Sequence, residues 1–291
     1  MLKTLPPPAI SGLSAIAGRY RFLLCDVWGV IHNGLHAHPE ACEALLRFRE
    51  SGGRTVLITN APRPKAEVVA QLDWLHVPPA AYDDIVTSGD VARMVLAERP
   101  ERKIYHLGPD RDLPLYEGLE IELVEEDAAQ FISCTGLFDD RTETPDDYME
   151  RLRGWVDRGL VMLCVNPDRV VERGDRLLWC AGALAERYEQ LGGEAIYCGK
   201  PYGPIYDEAL GRLATIAGAA IDRRDVLAIG DGMPTDLRGA ADAGIDALFV
   251  TEGIHSIECR GDDDEPDAGA VHRFLESAGI GAIGFIPHLS W

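Results

Sequence analysis

The chain has 291 residues, of which 46% are hydrophobic and 26% charged, and this composition predicts a globular protein with a sizeable core. Its formal charge of −20 argues against nucleic acids and anionic membrane surfaces as partners, because both require a basic face. No run of about 18 apolar residues predicts a membrane span, and Pro6 to Pro8 interrupt the place where a signal peptide needs its apolar stretch. We therefore expect a cytoplasmic location.

Short apolar segments alternate with amphipathic stretches along the chain. The predicted strands are 20–25, 55–59, 85–87, 103–107, 131–134, 161–165, 195–197, 226–229 and 247–250. The predicted helices are 40–51, 65–75, 146–158, 183–190 and 204–217. Strands that alternate with helices indicate an α/β fold with a doubly wound parallel sheet, in which reactive groups gather at the carboxyl ends of the strands.

The first two strands end in polar side chains. Asp26 follows the apolar residues 22–25, and a carboxylate in this position can act as a nucleophile or as a metal ligand. Thr59 and Asn60 end the second strand, where a hydroxyl and an amide can donate to phosphate oxygens. Each of these residue types is also ordinary turn or helix-capping chemistry. A single strand end is therefore not evidence of a site.

Two later segments carry complementary groups. Lys200, which stands between glycine and proline, is one of only four lysines and can neutralise a phosphate. Asp231 and Asp236 lie in a glycine-rich turn after the strand 226–229. Two carboxylates in such a turn suit an oxygen-seeking Mg²⁺ ion. The seven cysteines show no CxxC spacing, so we expect reduced thiols and no structural metal.

Taken together and in this order, these segments resemble the four motifs of the haloacid dehalogenase (HAD) superfamily. The closest resemblance is to subfamily IIA, the NagD-like and para-nitrophenylphosphatase-like proteins, and it extends along nearly the whole chain. The matching segments are ITNAPRP at 58–64, VTSGDVARMVL at 86–96, VNPD at 165–168, AGALAERYEQLGG at 181–193, GKPYGPIYDEAL at 199–210 and IGDGMPTDLRGAADAGI at 229–245.

The resemblance implies a HAD-like Rossmannoid core with an inserted α/β cap domain. The core would comprise residues 1–88 and 189–291, and the cap residues 89–188. Related proteins often pair through the cap, which implies a possible homodimer. The cap would also select the substrate, a small phosphorylated metabolite whose identity no motif reveals.

The resemblance also implies a role for each motif residue. Asp26 would be the nucleophile that takes the phosphoryl group, and it would share Mg²⁺ with Asp231. The backbone carbonyl of Trp28 would be a further ligand, and Asp236 would support the water shell of the metal.

The same resemblance assigns the phosphate-binding groups. Thr59, the amide of Asn60 and Lys200 would hold the phosphoryl oxygens. Mg²⁺ and Lys200 would lower the repulsion between the nucleophile and the phosphate, and they would stabilise charge in the transition state.

Trp28 departs from the pattern of the family, because most of its phosphatases place a second aspartate there as general acid and base. An indole cannot transfer this proton, and such help is typically worth 10²–10⁴ in rate. A cap residue could substitute, and the candidates by position are Asp139, Asp140 and Glu143; His32 is a further conceivable acid. Alternatively, the leaving group could need no acid.

The sequence thus predicts a Mg²⁺-dependent hydrolase of small phosphate monoesters that works through an aspartyl-phosphate at Asp26. The alternative is a catalytically weakened HAD-fold protein that binds a phosphorylated metabolite. Trp28 is the feature that separates the two.

Overall fold

The computed structural model describes residues 6–174, 176–261 and 264–291. The strands are β1 (Phe22–Asp26), β2 (Arg54–Thr59), β3 (Asp84–Thr87), β4 (Lys103–Leu107), β5 (Glu122–Leu123), β6 (Phe131–Cys134), β7 (Val161–Cys164), β8 (Val170–Arg173), β9 (Arg176–Trp179), β10 (Glu194–Tyr197), β11 (Val226–Gly230), β12 (Asp246–Val250) and β13 (Gly284–Ile286). The α-helices are α1 (Ser14–Ala17), α2 (Pro39–Glu50), α3 (Lys65–Trp74), α4 (Ser88–Glu98), α5 (Met149–Asp157), α6 (Ala181–Gln190), α7 (Gly203–Ala217), α8 (Arg238–Asp242), α9 (Ser256–Cys259) and α10 (Ala268–Ser277).

Contacts divide the chain into two compact units. The first comprises the described residues of Met1–Thr59, Ala70–Val86 and Tyr206–Trp291. The second comprises Asn60–Val69 and the described residues of Thr87–Ile205. The predicted domain boundaries at residues 88 and 188 assign the segment 60–69 and β10 to the core; that assignment stays a prediction.

The first unit is built on a six-stranded sheet with the order β13-β12-β11-β1-β2-β3. β1 runs parallel to both β11 and β2, and β12 runs parallel to β11 and β13. All five residues of β1 are buried, as expected for an inner strand of a parallel sheet that is covered on both faces. Such burial explains the continuous apolar run before Asp26 and brings the carboxyl ends of the central strands to one edge.

The second unit contains a five-stranded sheet with the order β10-β7-β6-β4-β5, in which all pairs are parallel. Its core includes Leu152 and Trp155 of α5 and Tyr188 of α6. The Tyr188 hydroxyl donates to the Leu160 carbonyl at 2.5 Å, which satisfies the one polar group of this buried ring. A parallel Rossmannoid sheet and a second parallel sheet confirm the predicted α/β fold.

All nine predicted strands and all five predicted helices are present, with ends that differ by a few residues. The prediction omitted α4, whose first turn is capped by Thr87: its hydroxyl accepts a hydrogen bond from the Asp90 amide at 2.9 Å. It also omitted the antiparallel hairpin of β8 and β9. The two strands of this hairpin have four residues each and none of them is fully buried, so they lack the apolar run on which the prediction relied.

Two further expectations concern membrane-spanning helices and the cysteines. No helix in the described ranges is long and apolar enough to cross a membrane. The seven cysteines are free thiols, and all are buried. Burial raises the pKa of the Cys134 and Cys198 thiols to about 12, so these side chains behave as small hydrophobic groups.

Candidate active site

The first unit gathers three carboxylates at one edge of its sheet. Asp26 is the last residue of β1, and Asp231 directly follows the neighbouring parallel strand β11. Asp236 lies in the π-helical turn Met233–Leu237. One carboxylate oxygen from each residue lies within 4.8 Å of the other two. The structure therefore brings together three acidic residues that are up to 210 positions apart in the sequence (236 minus 26).

These carboxylates are buried, with 5%, 6% and 5% of their surface exposed for Asp26, Asp231 and Asp236. Like charges in a buried cluster repel one another, and burial removes the water that would otherwise stabilise them. A divalent cation would offset both costs, and oxygen donors suit hard ions such as Mg²⁺. The donor set of this cluster thus fits a metal ion.

Glycines make room for the Asp231 carboxylate. A Cβ atom at Gly29 or at Gly253 would lie 2.1 Å from its Oδ2 atom, and the positive φ of Gly29, +86°, also favours glycine. The Ile254 amide donates to the same oxygen at 2.9 Å. The sequence prediction missed this support, although the GV dipeptide after Trp28 and the isolated Gly253 after β12 were visible signals.

Asp236 is held in a similar way. Its Oδ2 atom accepts a hydrogen bond from the Gly232 amide at 3.0 Å, which closes the turn after β11. A Cβ atom at Gly230 would lie 2.2 Å from the Asp236 Cγ atom, so only glycine fits there. The Tyr206 hydroxyl donates to the Asp236 backbone carbonyl at 3.2 Å. The Asp236 carboxylate is therefore held beside the end of β11 and is shielded from solvent.

Thr59 and Trp28 occupy the same edge of this sheet. Thr59 ends β2, which runs parallel to β1 with Asp26 opposite Ile58, and its side chain is buried. Trp28 is half-buried, and its ring meets the His32 ring edge to face, with the centroids 5.0 Å apart. A Cβ atom at Gly34 would lie 2.4 Å from the indole Cζ2 atom. The indole is therefore packed into the loop after Asp26.

His32 is poorly suited to replace the missing acid. It is 2% exposed, and its Nδ1 atom accepts a hydrogen bond from the Gly34 amide at 3.0 Å. Because Nδ1 accepts, the ring is neutral and carries its proton on Nε2, and a neutral imidazole is a very weak acid. The contacts of His32 favour a role in fixing the loop that contains Trp28.

The second unit contains the other predicted residues, Asn60 and Lys200. Asn60 Oδ1 accepts from the Lys200 amide at 2.7 Å, and Asn60 Nδ2 donates to the Lys200 carbonyl at 3.1 Å. The same Nδ2 atom donates to Asp168 Oδ1 at 2.9 Å. A Cβ atom at Gly199 would lie 2.3 Å from Asn60 Oδ1. The Asn60 side chain thus fixes the backbone of Lys200, a role that the sequence prediction did not foresee.

The three acids proposed as substitutes in the second unit take part in local structure. Asp139 accepts from the Arg141 amide and the Thr142 hydroxyl, and these bonds lower the pKa of its carboxyl. Glu143 accepts from the Asp139 amide and from the Tyr148 hydroxyl. Asp140 pairs with Arg111. A carboxyl that is held ionised is a poor proton donor, so the geometry gives Asp139 no support as an acid.

Comparison with known proteins identifies the family. A model described as haloacid dehalogenase-like hydrolase matches residues 23–122, and a HAD-hydrolase-like model matches residues 197–277. The crystal structure of a hydrolase of the haloacid dehalogenase-like family from Brucella suis 1330 superimposes with a TM-score of 0.86. It is 45% identical in sequence, and the match covers 98% of this chain and 100% of that chain.

Two further relatives are more distant. The ribonucleotide monophosphatase NagD of Escherichia coli K12 is 25% identical over 81% of this chain and 89% of its own length. A glycerol phosphate phosphatase from Mycobacterium tuberculosis, crystallised with magnesium, has a TM-score of 0.65 at 22% identity, with 89% of this chain and 78% of that chain covered. The chain belongs to the haloacid dehalogenase superfamily, within its NagD-like and para-nitrophenylphosphatase-like subfamily IIA.

Proposed function

We propose that the protein is a Mg²⁺-dependent phosphatase of small phosphate monoesters and that Asp26 is its nucleophile. The observation that carries this proposal is the buried cluster of Asp26, Asp231 and Asp236 at the strand ends. The names of two relatives, a ribonucleotide monophosphatase and a glycerol phosphate phosphatase crystallised with magnesium, support the same class of reaction.

Asp26, Asp231 and the Trp28 carbonyl are the groups that would hold Mg²⁺, with Asp236 in support of its water shell. The bound ion would supply positive charge that offsets the repulsion between the nucleophile and the phosphoryl oxygens. The amide of Ile254 and the glycines around Asp231 hold this carboxylate in place.

In the first step, a carboxylate oxygen of Asp26 attacks phosphorus as the bond between phosphorus and the leaving oxygen breaks. The leaving alkoxide takes its proton from water, because Trp28 has no group that can donate one. In the second step, water attacks the phosphorus of the aspartyl-phosphate and releases inorganic phosphate, which regenerates Asp26.

Thr59, Asn60 and Lys200 are proposed to bind the phosphoryl oxygens. Both hydrogens of the Asn60 side-chain amide already bind Lys200 and Asp168, so we assign its contribution to the backbone N–H. Lys200 would supply a positive charge, and the two hydrogen bonds from Asn60 to its backbone would fix where that charge lies.

Trp28 favours a second candidate function, that of a binding protein for a phosphorylated metabolite with little turnover. Its ring is packed against His32 and Gly34 and stands where the family usually has its acid. Loss of general acid help costs about 10²–10⁴ in rate, which would leave slow but measurable hydrolysis.

A panel of alkyl and aryl phosphate monoesters, assayed with Mg²⁺ and with a chelator, tests the proposal. We expect metal-dependent release of inorganic phosphate, faster for aryl than for alkyl esters because a phenolate leaves with little protonation. Tight binding of a phosphate monoester without any metal-dependent release would favour the second candidate. Neither binding nor release would contradict both.

A further inference from the structure

The loop 252–260, which follows β12 in the first unit, contacts the carboxylate of Asp231 through its backbone. A Cβ atom at Gly253 would lie 2.1 Å from Asp231 Oδ2, and the Ile254 amide donates to the same oxygen at 2.9 Å. Both contacts come from two consecutive residues, so the position of this oxygen depends on the path of the loop. Whatever fixes that path therefore also fixes a proposed metal ligand.

Backbone hydrogen bonds hold the two ends of this loop. At its start, the Glu252 amide donates to the Pro287 carbonyl at 2.9 Å, just beyond the pairing of β12 with β13. At its end, the Asp267 amide donates to the Cys259 carbonyl at 3.0 Å. The two residues that contact Asp231 lie between these ends, so their positions depend on how the ends are joined.

An ion pair joins the ends of the loop. Arg260 Nη2 lies 2.9 Å from Glu252 Oε2, and the two side chains are 32% and 18% exposed. Arg260 has a second partner, Asp264, at 3.1 Å, but that side chain is 83% exposed. Water and salt screen an exposed pair more than a partly buried one. The pair with Glu252 is therefore the stronger of the two, and it encloses residues 253–255.

The other side-chain groups of the loop are only partly satisfied. The His255 ring packs against Phe274 of α10 with the centroids 4.8 Å apart, and burial lowers its pKa, so the ring is neutral at pH 7. Three buried side-chain atoms in the described ranges have no hydrogen-bond partner, and two of them are His255 Nε2 and Arg260 Nε. Such atoms lose their hydrogen bonds to water on folding, which offsets part of the gain from packing. The loop therefore depends on its ion pair.

We propose that Glu252 and Arg260 are positioning residues for the Mg²⁺ site, because their ion pair fixes the loop whose Ile254 amide holds Asp231. The inference rests on the proposed function, since it takes Asp231 as a metal ligand. Groups that orient a metal ligand without binding the metal typically change metal affinity by about 10–100-fold when they are mutated. The proposed site thus extends to two residues that act through the loop backbone.

The charge of Arg260 separates an effect on position from an effect on charge. A positive charge repels a cation, so loss of this charge alone should strengthen Mg²⁺ binding. Loss of the ion pair should instead weaken binding, because Asp231 loses the support of the Ile254 amide. For Glu252 the two effects have the same sign, since loss of a negative charge also weakens binding. Arg260 is therefore the more informative residue.

Calorimetric titration of the whole protein with Mg²⁺ tests the proposal without a substrate. We expect R260Q and E252Q each to raise the Kd for Mg²⁺ by about 10-fold, and the double variant E252Q/R260Q to raise it no further. An R260Q protein that binds Mg²⁺ as tightly as the wild type, or more tightly, would overturn the proposal. A rise of about 100-fold in the double variant would mean that the residues act independently, and it would overturn the proposal as well.

Three further variants separate the ion pair from general stability. E252D keeps both charges but shortens the acid by one CH₂ group, so it should weaken Mg²⁺ binding in the same direction; it also provides the test if R260Q does not fold. D264N removes the exposed partner of Arg260 and should change the Kd by less than about twofold. R49Q breaks the half-buried pair of Arg49 with Asp83 in the same unit and controls for lost stability. An equal loss of Mg²⁺ affinity in R49Q would contradict the proposal.

Hydrogen exchange of the Ile254 amide, followed by NMR without Mg²⁺, reports on the loop itself. We expect exchange about 10-fold faster in R260Q than in the wild type, and unchanged in R49Q. If D231N binds Mg²⁺ as well as the wild type, the proposed metal site fails and this inference fails with it. If D231N loses Mg²⁺ binding but R260Q changes neither the Kd nor the exchange of Ile254, only the role of the ion pair is rejected.

Discussion

The two units of this protein each bury a cluster of charged side chains, and the clusters are built differently. The first unit places two carboxylates at the ends of neighbouring parallel strands and a third in the turn that follows one of them. The second surrounds Asp112 with two arginines, a threonine hydroxyl and a histidine. We propose that a bound cation balances the first cluster, whereas arginines supply positive charge beside the acid of the second.

The largest expected effect comes from removal of the proposed nucleophile in the first cluster. D26N should reduce phosphatase activity by at least about 100-fold, because the amide cannot form the phosphoryl bond and one charge of the metal site is lost. Steady-state assays with an aryl phosphate measure this loss of activity, and circular dichroism checks that D26N is folded. Retention of more than a few per cent of activity would exclude Asp26 as the nucleophile.

The second expected effect concerns the residue beside the carboxylate cluster that cannot transfer a proton. W28D should speed hydrolysis of alkyl phosphates by a substantial part of the 10²–10⁴ that acid–base help provides, and aryl phosphates should gain less. Because loss of a packed indole can leave a cavity, Mg²⁺ binding and thermal stability are measured on the same protein. A folded, metal-binding W28D protein without a gain on alkyl esters would disprove this role of Trp28.

The third effect tests whether the first cluster depends on a cation. Mg²⁺ at 100 times its Kd should stabilise the wild-type protein by about 2.7 kcal/mol. D231N should lose most of this gain, and without metal it should unfold at a higher temperature, since one of three repelling charges is gone. Thermal unfolding with and without Mg²⁺ measures both changes. The D242N variant, at an exposed aspartate, is the matched control. If Mg²⁺ stabilised D231N as much as the wild type, Asp231 would not be a metal ligand.

The smallest effect distinguishes the second cluster by its response to pH. The pKa of Asp112 is raised from 3.8 to about 6, so its contribution to stability is present below pH 4 and is lost as the pH rises to about 6. The loss is on the order of 2–3 kcal/mol. Between pH 4 and pH 6.5 the D112N variant should therefore become progressively more stable than the wild type, as thermal unfolding would show.

The exposed Asp139 provides a control of opposite sign for this measurement. Hydrogen bonds from Arg141 and Thr142 lower the pKa of its carboxyl, so its stabilising contribution is lost as the pH falls. D139N should consequently be less stable than the wild type at neutral pH and equally stable in acid. A difference between D112N and the wild type that is constant with pH would mean that Asp112 does not titrate in this range.

The comparison of the two clusters also shows which residues of the site could be predicted from the sequence. Asp26 and Asp231 directly follow apolar strands, and the rule that parallel strands present their carboxyl ends at one edge was enough to predict that such residues meet. The fold was predictable for the same reason, since buried strands leave long apolar runs. Confirmed elements such as β1 and α7 have this strong local signal.

The second cluster could not be predicted in this way. Asp112 lies in the 3₁₀-helical segment Asp110–Tyr116, and its partners Arg63 and Thr135 are 49 and 23 residues distant in sequence (112 minus 63, and 135 minus 112). Burial raises the pKa of Asp112, but an arginine followed by an aspartate in a sequence gives no sign of burial. The role of Asn60 was hidden likewise, because its two bonds to Lys200 join residues 140 positions apart.

Chemical trapping of the phosphorylated protein tests the central claim most directly. The wild-type protein is mixed with para-nitrophenyl phosphate and Mg²⁺, quenched in acid within milliseconds to seconds, and analysed by intact and peptide mass spectrometry. We predict a burst of nitrophenol together with a mass gain of about 80 Da, the added phosphoryl group, on the peptide that contains Asp26. Turnover without any phosphorylated peptide, or with the phosphoryl group on another residue, would contradict the assignment of Asp26 as the nucleophile.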